Sequence, residues 1–273
     1  MQLWKAHGLG NDYLVWEGRA NTLNEGQVRK ICHRSKGVGG DGILEPTKSM
    51  CADFGVRIWN PDGSVAEKSG NGLRIFAHWL HYEKGAPHSF SIDTGFCIVH
   101  AHILETEISI EMGRAYWKPE EIPCTTPIWK TRHTIAEHVL TLYAVGVGNP
   151  HCVALFDSDQ CFDDLDWVTW GAILEHDRRF PNRTNVQFAK VLNRNTIEMR
   201  IFERGAGETS ASGSSSCAVA SVCHRLGLVD AQIELHMPGG ILKVSIDESG
   251  EVLLLGPVQV VGRCRLEQGF LFG

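Results

Sequence analysis

The chain has 273 residues, of which 43% are hydrophobic and 21% are charged, and its formal net charge is −6. This composition is typical of a globular protein with one large domain or two domains of ordinary size. The negative charge argues against nucleic acid or an anionic membrane as the main partner. No run approaches eighteen apolar residues, and the start of the chain lacks a signal-peptide pattern, so we expect a cytoplasmic protein.

In the first half, short predicted strands alternate with turns and with two predicted helices. A helix is predicted over Asn24–Ser35, where apolar residues recur at helical spacing and Asn24 can cap the N-terminus. A second helix is predicted over Gly70–Lys84, and it is apolar on two faces, as a buried helix is. The predicted strands are Leu3–His7, Asp12–Trp16, Val56–Asn60, Ser89–Asp93, Cys97–Ile103 and Glu107–Met112.

The second half repeats this order after a segment, Lys118–Thr134, that carries three prolines and is interpreted as a linker. Helices are predicted over Asp166–Glu175 and from Gly213 onward. The predicted strands are Val139–Val145, Cys152–Phe156, Val186–Val191 and Glu198–Phe202, followed by alternating segments from Ile233 to Cys264. We therefore predict two domains, residues 1–117 completed by a last strand at about 263–273, and residues 118–262.

A repeat connects the two halves without a gap. The segment 56–60 (VRIWN) corresponds to 199–203 (MRIFE), and Ser69-Gly70 corresponds to Ser212-Gly213, at one offset of 143 positions. A second echo pairs Gly10-Asn11 with Gly148-Asn149. Such a repeat predicts two similar domains, each a strand-rich sheet around one buried helix. We expect the starts of the two repeated helices to face one cleft.

Each repeated motif places a glycine-bearing turn and a serine before a helix. The start of a helix exposes unpaired N–H groups and about half a positive charge, so two such ends can hold one carboxylate. The alternative is that both serines are ordinary helix caps, and for either motif alone we would favour that alternative. The gap-free pairing of the two motifs favours a binding site.

Five motifs in order resemble those of the diaminopimelate epimerase family: 7–12 (HGLGND), 37–42 (GVGGDG), 60–72, 148–151 (GNPH) and 203–213. The resemblance implies a mixed α/β (α+β) fold of two pseudo-symmetric domains, each a barrel-like sheet around a central helix. It also implies an isomerase without a cofactor that converts LL- to meso-diaminopimelate, for lysine and peptidoglycan precursor synthesis. In that reaction one cysteine thiolate removes the α-proton and a second cysteine thiol returns one from the opposite face.

The chain departs from this family at both catalytic cysteine positions, which are Ser69 and Ser212. Cys217 cannot replace Ser212 without shifting the repeat. A thiol titrates near pH 8.5 and a helix start lowers that value, whereas a hydroxyl is a weak base unless a neighbouring base activates it. We therefore expect an inactive or nearly inactive form that still binds substrate. It is either a deliberate replacement, which we favour, or a natural member that lost epimerisation.

The resemblance also assigns roles to other residues of this sequence. It implies that His151 and Glu203 lie close to the reacting centre, although a satisfied core histidine is the alternative for His151. Gly42 stands where some members have glutamine. The implied substrate-binding residues are Asn11, Asn60, Gly70, Asn71, Asn149, Asn185, Arg204, Gly213 and Ser214, with Asn60, Asn185 and Arg204 at the non-reacting end of the substrate.

Two other functions remain open. The same fold could carry a racemase of another amino acid, such as histidine, or an isomerase of an unsaturated acid. It could also be a catalytically dead amino-acid-binding protein. No metal is expected, because the thirteen histidines and nine cysteines form no ligand cluster, and the scattered cysteines indicate reduced thiols. The expected partner is a small amino acid, and a twofold homodimer is the expected assembly if the chain oligomerises.

Overall fold

The structure is a computed structural model that describes residues 1–20, 22–135, 137–156, 161–267 and 269–271. Gln268, Phe272 and Gly273, which belong to the predicted last strand, lie outside the described residues. The chain forms two compact units. Unit 1 contains Met1–Glu111 and Leu255–Gly273, and unit 2 contains Met112–Leu254. The domain boundaries at 117/118 and 262/263 stay a prediction.

The elements of the first half are strands and two helices: β1 (Gln2–Gly8), β2 (Asn11–Trp16), α1 (Glu25–Cys32), β3 (Gly42–Thr47), β4 (Phe54–Trp59), β5 (Val65–Ala66), α2 (Gly70–Lys84), β6 (Ser89–Asp93), β7 (Ile98–Ile103) and β8 (Ile108–Arg114).

The elements of the second half repeat this order: β9 (Thr131–Ile135), β10 (His138–Gly146), β11 (Pro150–Phe156), α3 (Trp167–Glu175), β12 (Asn185–Asn193), β13 (Thr196–Glu203), β14 (Gly207–Thr209), α4 (Gly213–Arg225), β15 (Gln232–Met237), β16 (Gly240–Ile246), β17 (Glu251–Gly256) and β18 (Gln259–Arg265). A short 3-10 turn at Phe162–Asp164 precedes α3.

Unit 1 is a mixed sheet around α2. β2 pairs antiparallel with β1 and parallel with β3, and β4 pairs antiparallel with β3 and parallel with β6. β18 returns to pair antiparallel with β1. The helix contacts β1, β2 and β7 and is buried over most of its length, with Leu73, Ile75 and Phe76 fully inaccessible. Gly85 ends it in the left-handed conformation that glycine adopts most easily.

Unit 2 has the same pattern of pairing around α4. β11 pairs antiparallel with β10 and parallel with β12, and β13 pairs antiparallel with β12 and parallel with β15. β9 occupies on β10 the place that β18 occupies on β1. α4 contacts β10, β11, β12, β15 and β16, and its residues from Cys217 to Ala220 are fully buried. The predicted fold, two pseudo-symmetric sheets that each surround a buried helix, is confirmed.

Besides β5, β9 and β14, which were not predicted, the structure differs from the predicted elements in three places. α1 ends at Cys32 rather than at residue 35, because the chain becomes extended at His33 and the following loop bonds back to the last turn of the helix. β3 escaped prediction because Ile43, Leu44 and Glu45 are all buried, so the strand lacks an alternating pattern. The segment interpreted as a linker contributes Ile122, Cys124 and Ile128 to the core of unit 2.

Three findings concern the described residues as a whole. None of its helices is long and apolar enough to span a membrane. All nine cysteines are free thiols, and no group of three or more potential metal-ligating side chains occurs among the described residues.

Candidate active site

The first half-site is built at the N-terminus of α2 in unit 1. Ser69 caps the helix: its Oγ accepts the N–H of Gly72 at 3.1 Å, and its carbonyl accepts the N–H of Leu73 at 2.8 Å. Gly70 and Asn71 form the first helical turn and are buried. The serine at this predicted catalytic position is thus an N-cap, whose oxygen lies at the positive end of the helix.

A tyrosine reaches the same serine from the neighbouring sheet. Tyr13 lies in β2, is 6% exposed, and places its hydroxyl 3.0 Å from Ser69 Oγ. Either oxygen can be the donor of this hydrogen bond. The Ser69 hydroxyl therefore has two partners within unit 1, a phenol and a backbone N–H.

A chain of amides fixes Asn11 and Asn71 beside this helix start. The Asn71 side-chain N–H donates to Asn11 Oδ1 at 3.1 Å, and Asn11 Nδ2 donates to Asp41 Oδ2 at 2.9 Å. The buried Arg74 donates to Asn71 Oδ1 at 2.7 Å. These bonds define which end of each amide is oxygen, so both asparagines have a set orientation.

Ion pairs hold the carboxylate of Asp41, to which the Asn11 amide is bonded. Asp12 lies 2.8 Å from both Lys5 and Arg34, and Arg34 lies 2.6 Å from Asp41. Burial opposes ionisation of Asp12, but its bonds to Arg34 and Lys5 outweigh burial and lower its pKa. Burial raises the pKa of Asp41, with the nearby Asp12 charge acting in the same direction. The carboxylate that orients Asn11 is therefore held by the Arg34 guanidinium.

Asn60 stands at the entry to the turn that follows β4. Its backbone N–H donates to the carbonyl of Ser64 at 2.8 Å, and its Nδ2 donates to Ser64 Oγ at 2.9 Å. Gly63 has a φ of 87°, a conformation that glycine adopts without strain, and closes this turn. The side chain is half-buried, and its amide N–H is bonded within this turn.

The second half-site is built at the N-terminus of α4 in unit 2. Ser212 is the N-cap and is 5% exposed, but its side chain makes no hydrogen bond to the first turn. Its carbonyl accepts the N–H and the hydroxyl of Ser216, at 3.1 and 2.8 Å. Gly213 is buried and Ser214 is half-buried. Ser212 and Ser69 therefore occupy equivalent positions but have different hydrogen-bonding environments.

A buried histidine orients Asn149 in this half-site. His151 is 0% exposed, with Nε2 at 2.7 Å from Asn149 Oδ1 and Nδ1 at 2.9 Å from Gln187 Nε2. Burial lowers the pKa of His151 to about 3, so the ring is neutral. A neutral ring has one donor and one acceptor, and these partners assign Nε2 as the donor to Asn149. Both nitrogens are engaged, which is the arrangement of a satisfied core histidine, and a catalytic role for His151 stays a prediction.

Of the predicted distal residues, Asn185 begins β12 and Arg204 directly follows β13. Asn185 is buried, accepts the backbone N–H of Arg204 at 3.0 Å, and donates to the carbonyl of Pro150 at 3.2 Å. Arg204 is exposed, and its guanidinium has a long contact of 3.4 Å to the carbonyl of Asn182. Glu203 is half-buried and accepts the Thr209 hydroxyl at 3.2 Å. The backbone of Arg204 is anchored, while its guanidinium faces solvent.

A buried carboxylate supports the loop that carries Arg204. Glu175, at the end of α3, is 4% exposed, accepts the N–H of Gly205 at 2.7 Å and pairs with Arg183 at 3.1 Å. Buried charges need such partners because desolvation is costly. Sequence reasoning missed this residue, because nothing in the local pattern of α3 shows that a glutamate would be buried.

Within each unit the structure brings some predicted residues into direct contact. Asn11 is bonded to Asn71, Asn149 to His151, and Asn185 to Arg204. Tyr13 and Asp41 were missed although they adjoin or lie within the quoted motifs, since their roles appear only through contacts distant in sequence. The supporting residues that the structure adds are Tyr13, Asp41, Glu175 and Gln187.

Solved structures with the same architecture define the class of fold. A probable proline racemase from Agrobacterium radiobacter superposes with a TM-score of 0.72 at 15% identity, covering 98% of this chain and 93% of that protein. A phenazine biosynthesis protein of the PhzF family from Bacillus anthracis superposes with a TM-score of 0.70 at 15% identity, covering 98% and 99%. At this identity the likeness shows the fold alone, which this chain shares with proteins that carry those two names.

Sequence comparisons identify the family within that fold class. The sequence model of the diaminopimelate epimerase family matches residues 3–118 and 143–261. Diaminopimelate epimerase 2 of Nostoc sp. is 42% identical over 268 residues, which cover 94% of this chain and 93% of the relative. The diaminopimelate epimerase of Clostridium perfringens is 37% identical over 263 residues, covering 92% and 94%. The chain belongs to the diaminopimelate epimerase family, which is a family of isomerases.

Proposed function

We propose that this chain binds diaminopimelate through the two half-sites and that, with serine at positions 69 and 212, it inverts the α-carbon poorly or not at all. The observation that carries the proposal is that two equivalent helices each begin directly after one of these serines. Membership of the family supports the substrate. The residues at the family's two cysteine positions support the loss of turnover.

Each carboxylate of the substrate is assigned to hydrogen-bond donors of this chain. The N–H groups of Gly70, Asn71, Gly213 and Ser214 are assigned to the α-carboxylate, because helix starts favour anions. Since Ser69 already accepts the N–H of Gly72, the assignment in α2 falls on the first two helical residues. The distal carboxylate is assigned to Arg204, whose guanidinium can donate two parallel bonds. Asn60 and Asn185 supply further amide groups at that end.

The loss of turnover follows from the chemistry of hydroxyl groups. Inversion needs a base on one face of the α-carbon and an acid on the other, both matched to neutral pH. Among the described residues, the hydrogen-bond partners of Ser69 Oγ are a phenol and a backbone N–H, and neither is a base that could activate it. We propose that both serines occupy the positions of the two proton-transferring groups without replacing their function.

His151 is proposed to position Asn149 rather than to transfer protons. Its pKa of about 3 keeps the ring neutral over the physiological range. Its Nε2–H occupies Asn149 Oδ1, so the N–H groups of that amide are directed away from the ring and can serve as donors to a substrate. The catalytic assignment of Glu203 remains a prediction.

Calorimetric titration of the unaltered chain tests this function. LL- and meso-diaminopimelate are compared with lysine, which lacks the distal carboxylate, and with histidine. We expect both diaminopimelate isomers to bind more tightly than lysine, and α-proton exchange in deuterated water to be negligible. Tighter binding of histidine would favour the racemase alternative, and rapid exchange would contradict the predicted loss of turnover.

A further inference from the structure

We propose that Tyr13 is a positioning residue that sets the protonation state of the side chain at position 69. This inference rests on the proposed function only in taking position 69 as a proton-transferring position. The contact itself is independent of any ligand: Tyr13 and Ser69 are 56 positions apart in sequence, and their hydroxyl oxygens are 3.0 Å apart.

The absence of a side chain at Gly42 leaves the space that the Tyr13 ring occupies. Strand register pairs Tyr13 with Gly42, and a Cβ at Gly42 would lie 2.5 Å from Cε1 and 3.0 Å from Cδ1 of the ring. The same Cβ would lie 2.3 Å from the carbonyl oxygen of Trp59. The ring therefore occupies space that any side chain at position 42 would need. Because Tyr13 is 6% exposed, its hydroxyl has little freedom to leave Ser69.

The count of lone pairs shows what the phenol does to the serine. A hydroxyl oxygen accepts two hydrogen bonds and donates one. Gly72 already donates one bond to Ser69 Oγ. When Tyr13 donates the second, both lone pairs are occupied and the serine proton alone remains for a ligand. In this state Ser69 can donate a proton but cannot accept one.

The same two donors have the opposite consequence for a thiol at this position. A thiolate has a negative charge that the phenol, the Gly72 N–H and the helix start would all stabilise. Tyr13 therefore favours the anion when cysteine stands at position 69, and when it donates to serine it occupies the one lone pair that Gly72 leaves. Position 69 is built for a thiolate even though serine occupies it.

The described part of unit 2 shows no equivalent pairing of a phenol with Ser212. His151 follows Asn149 by two residues, as Tyr13 follows Asn11, but both nitrogens of its ring are already bonded. Ser212 makes no side-chain bond to the first turn of its helix. The two proton-transferring positions are therefore chemically different, and position 212 provides a matched control for position 69.

The test measures thiol pKa values in the ligand-free full chain. The variants are Ser69→Cys and Tyr13→Phe/Ser69→Cys, and the controls are Ser212→Cys and Tyr13→Phe/Ser212→Cys. The rate of iodoacetamide alkylation is followed against pH for the peptide that contains the introduced thiol, so that the nine native cysteines do not interfere. We expect Tyr13→Phe to raise the pKa of the thiol at position 69 by about 1–2 units, the effect of losing a hydrogen bond to an anion. The thiol at position 212 should not change.

Equal titration of Ser69→Cys with and without the phenol would overturn the inference, and so would an equal rise at position 212. If Tyr13→Phe disturbs folding, 3-fluorotyrosine at position 13 keeps the ring and makes the phenol a stronger donor. The pKa of the thiol at position 69 should then fall, and an unchanged value would overturn the inference. Failure of the chain to bind diaminopimelate would refute the proposed function alone, because the titration uses no ligand.

Discussion

Because His151 is buried as a neutral ring, the free energy of unfolding should decrease at acid pH. The pKa of this ring is lowered by burial from 6.5 to about 3. As pH falls below 6.5, the unfolded chain takes up a proton at this position and the folded chain does not, so stability is lost. The loss is about 1.4 kcal/mol per pH unit. Between pH 8 and pH 4.5 His151 should therefore cost the folded state about 2.7 kcal/mol.

The assay is urea unfolding of the unaltered chain and of His151→Gln at several pH values from 8 to 4.5. The variant should be less stable at pH 8, because a fully buried ring with two partners is lost. Its stability should nevertheless fall by about 2.7 kcal/mol less than that of the unaltered chain between pH 8 and pH 4.5. Ion pairs such as Lys5–Asp12 are present in both proteins, so the difference isolates His151. Parallel pH profiles would show that the histidine is not buried as a neutral ring, and the positioning role would fail.

Two further substitutions test the distal end of the proposed site. Arg204→Ala should weaken diaminopimelate binding by roughly 10- to 100-fold, the loss of a charge-assisted pair, while lysine binding stays nearly unchanged; calorimetry that shows equal affinity for variant and parent would remove Arg204 from this role. Glu175→Ala should destabilise unit 2 by about 1.5–3 kcal/mol, because the backbone N–H of Gly205 loses the buried carboxylate that accepts its hydrogen bond, and it should also reduce affinity for diaminopimelate. Glu175→Gln, which keeps an acceptor, should do less of both in thermal melts and titrations; identical behaviour of the alanine and glutamine variants would refute this explanation.

Helix starts were the most predictable part of the fold. α2 begins and ends as predicted, and α4 begins at the predicted Gly213, because a serine cap followed by helical apolar spacing is a local signal. β3 was not predictable in this way. Its buried Glu45 accepts bonds from Trp59 and from the backbone of Thr22, and no local pattern shows that a glutamate will have such partners. Strand alternation is informative only when one face is exposed.

The candidate site was predictable as a set of residues but not as a network. The repeat and the motifs led to Ser69, Ser212 and the asparagines. These are polar residues next to glycine-containing turns, which can be recognised in the sequence. The groups that orient them are distant in sequence: Gln187 lies 36 positions from His151. A polar side chain can cap a helix, orient another side chain or be oriented by one. Which of these it does depends on burial and on strand register, and both are known only from the folded chain.

The most direct test of the two-thiol mechanism compares all four combinations of serine and cysteine at positions 69 and 212. α-Proton exchange and optical inversion are measured on LL- and meso-diaminopimelate, with calorimetric binding as a control for folding. We predict negligible inversion by the unaltered chain and by either single variant, exchange of one stereoisomer at most by the single variants, and restored inversion by Ser69→Cys/Ser212→Cys. Full inversion by the unaltered chain, or a double variant that binds diaminopimelate but does not invert it, would contradict the two-thiol mechanism.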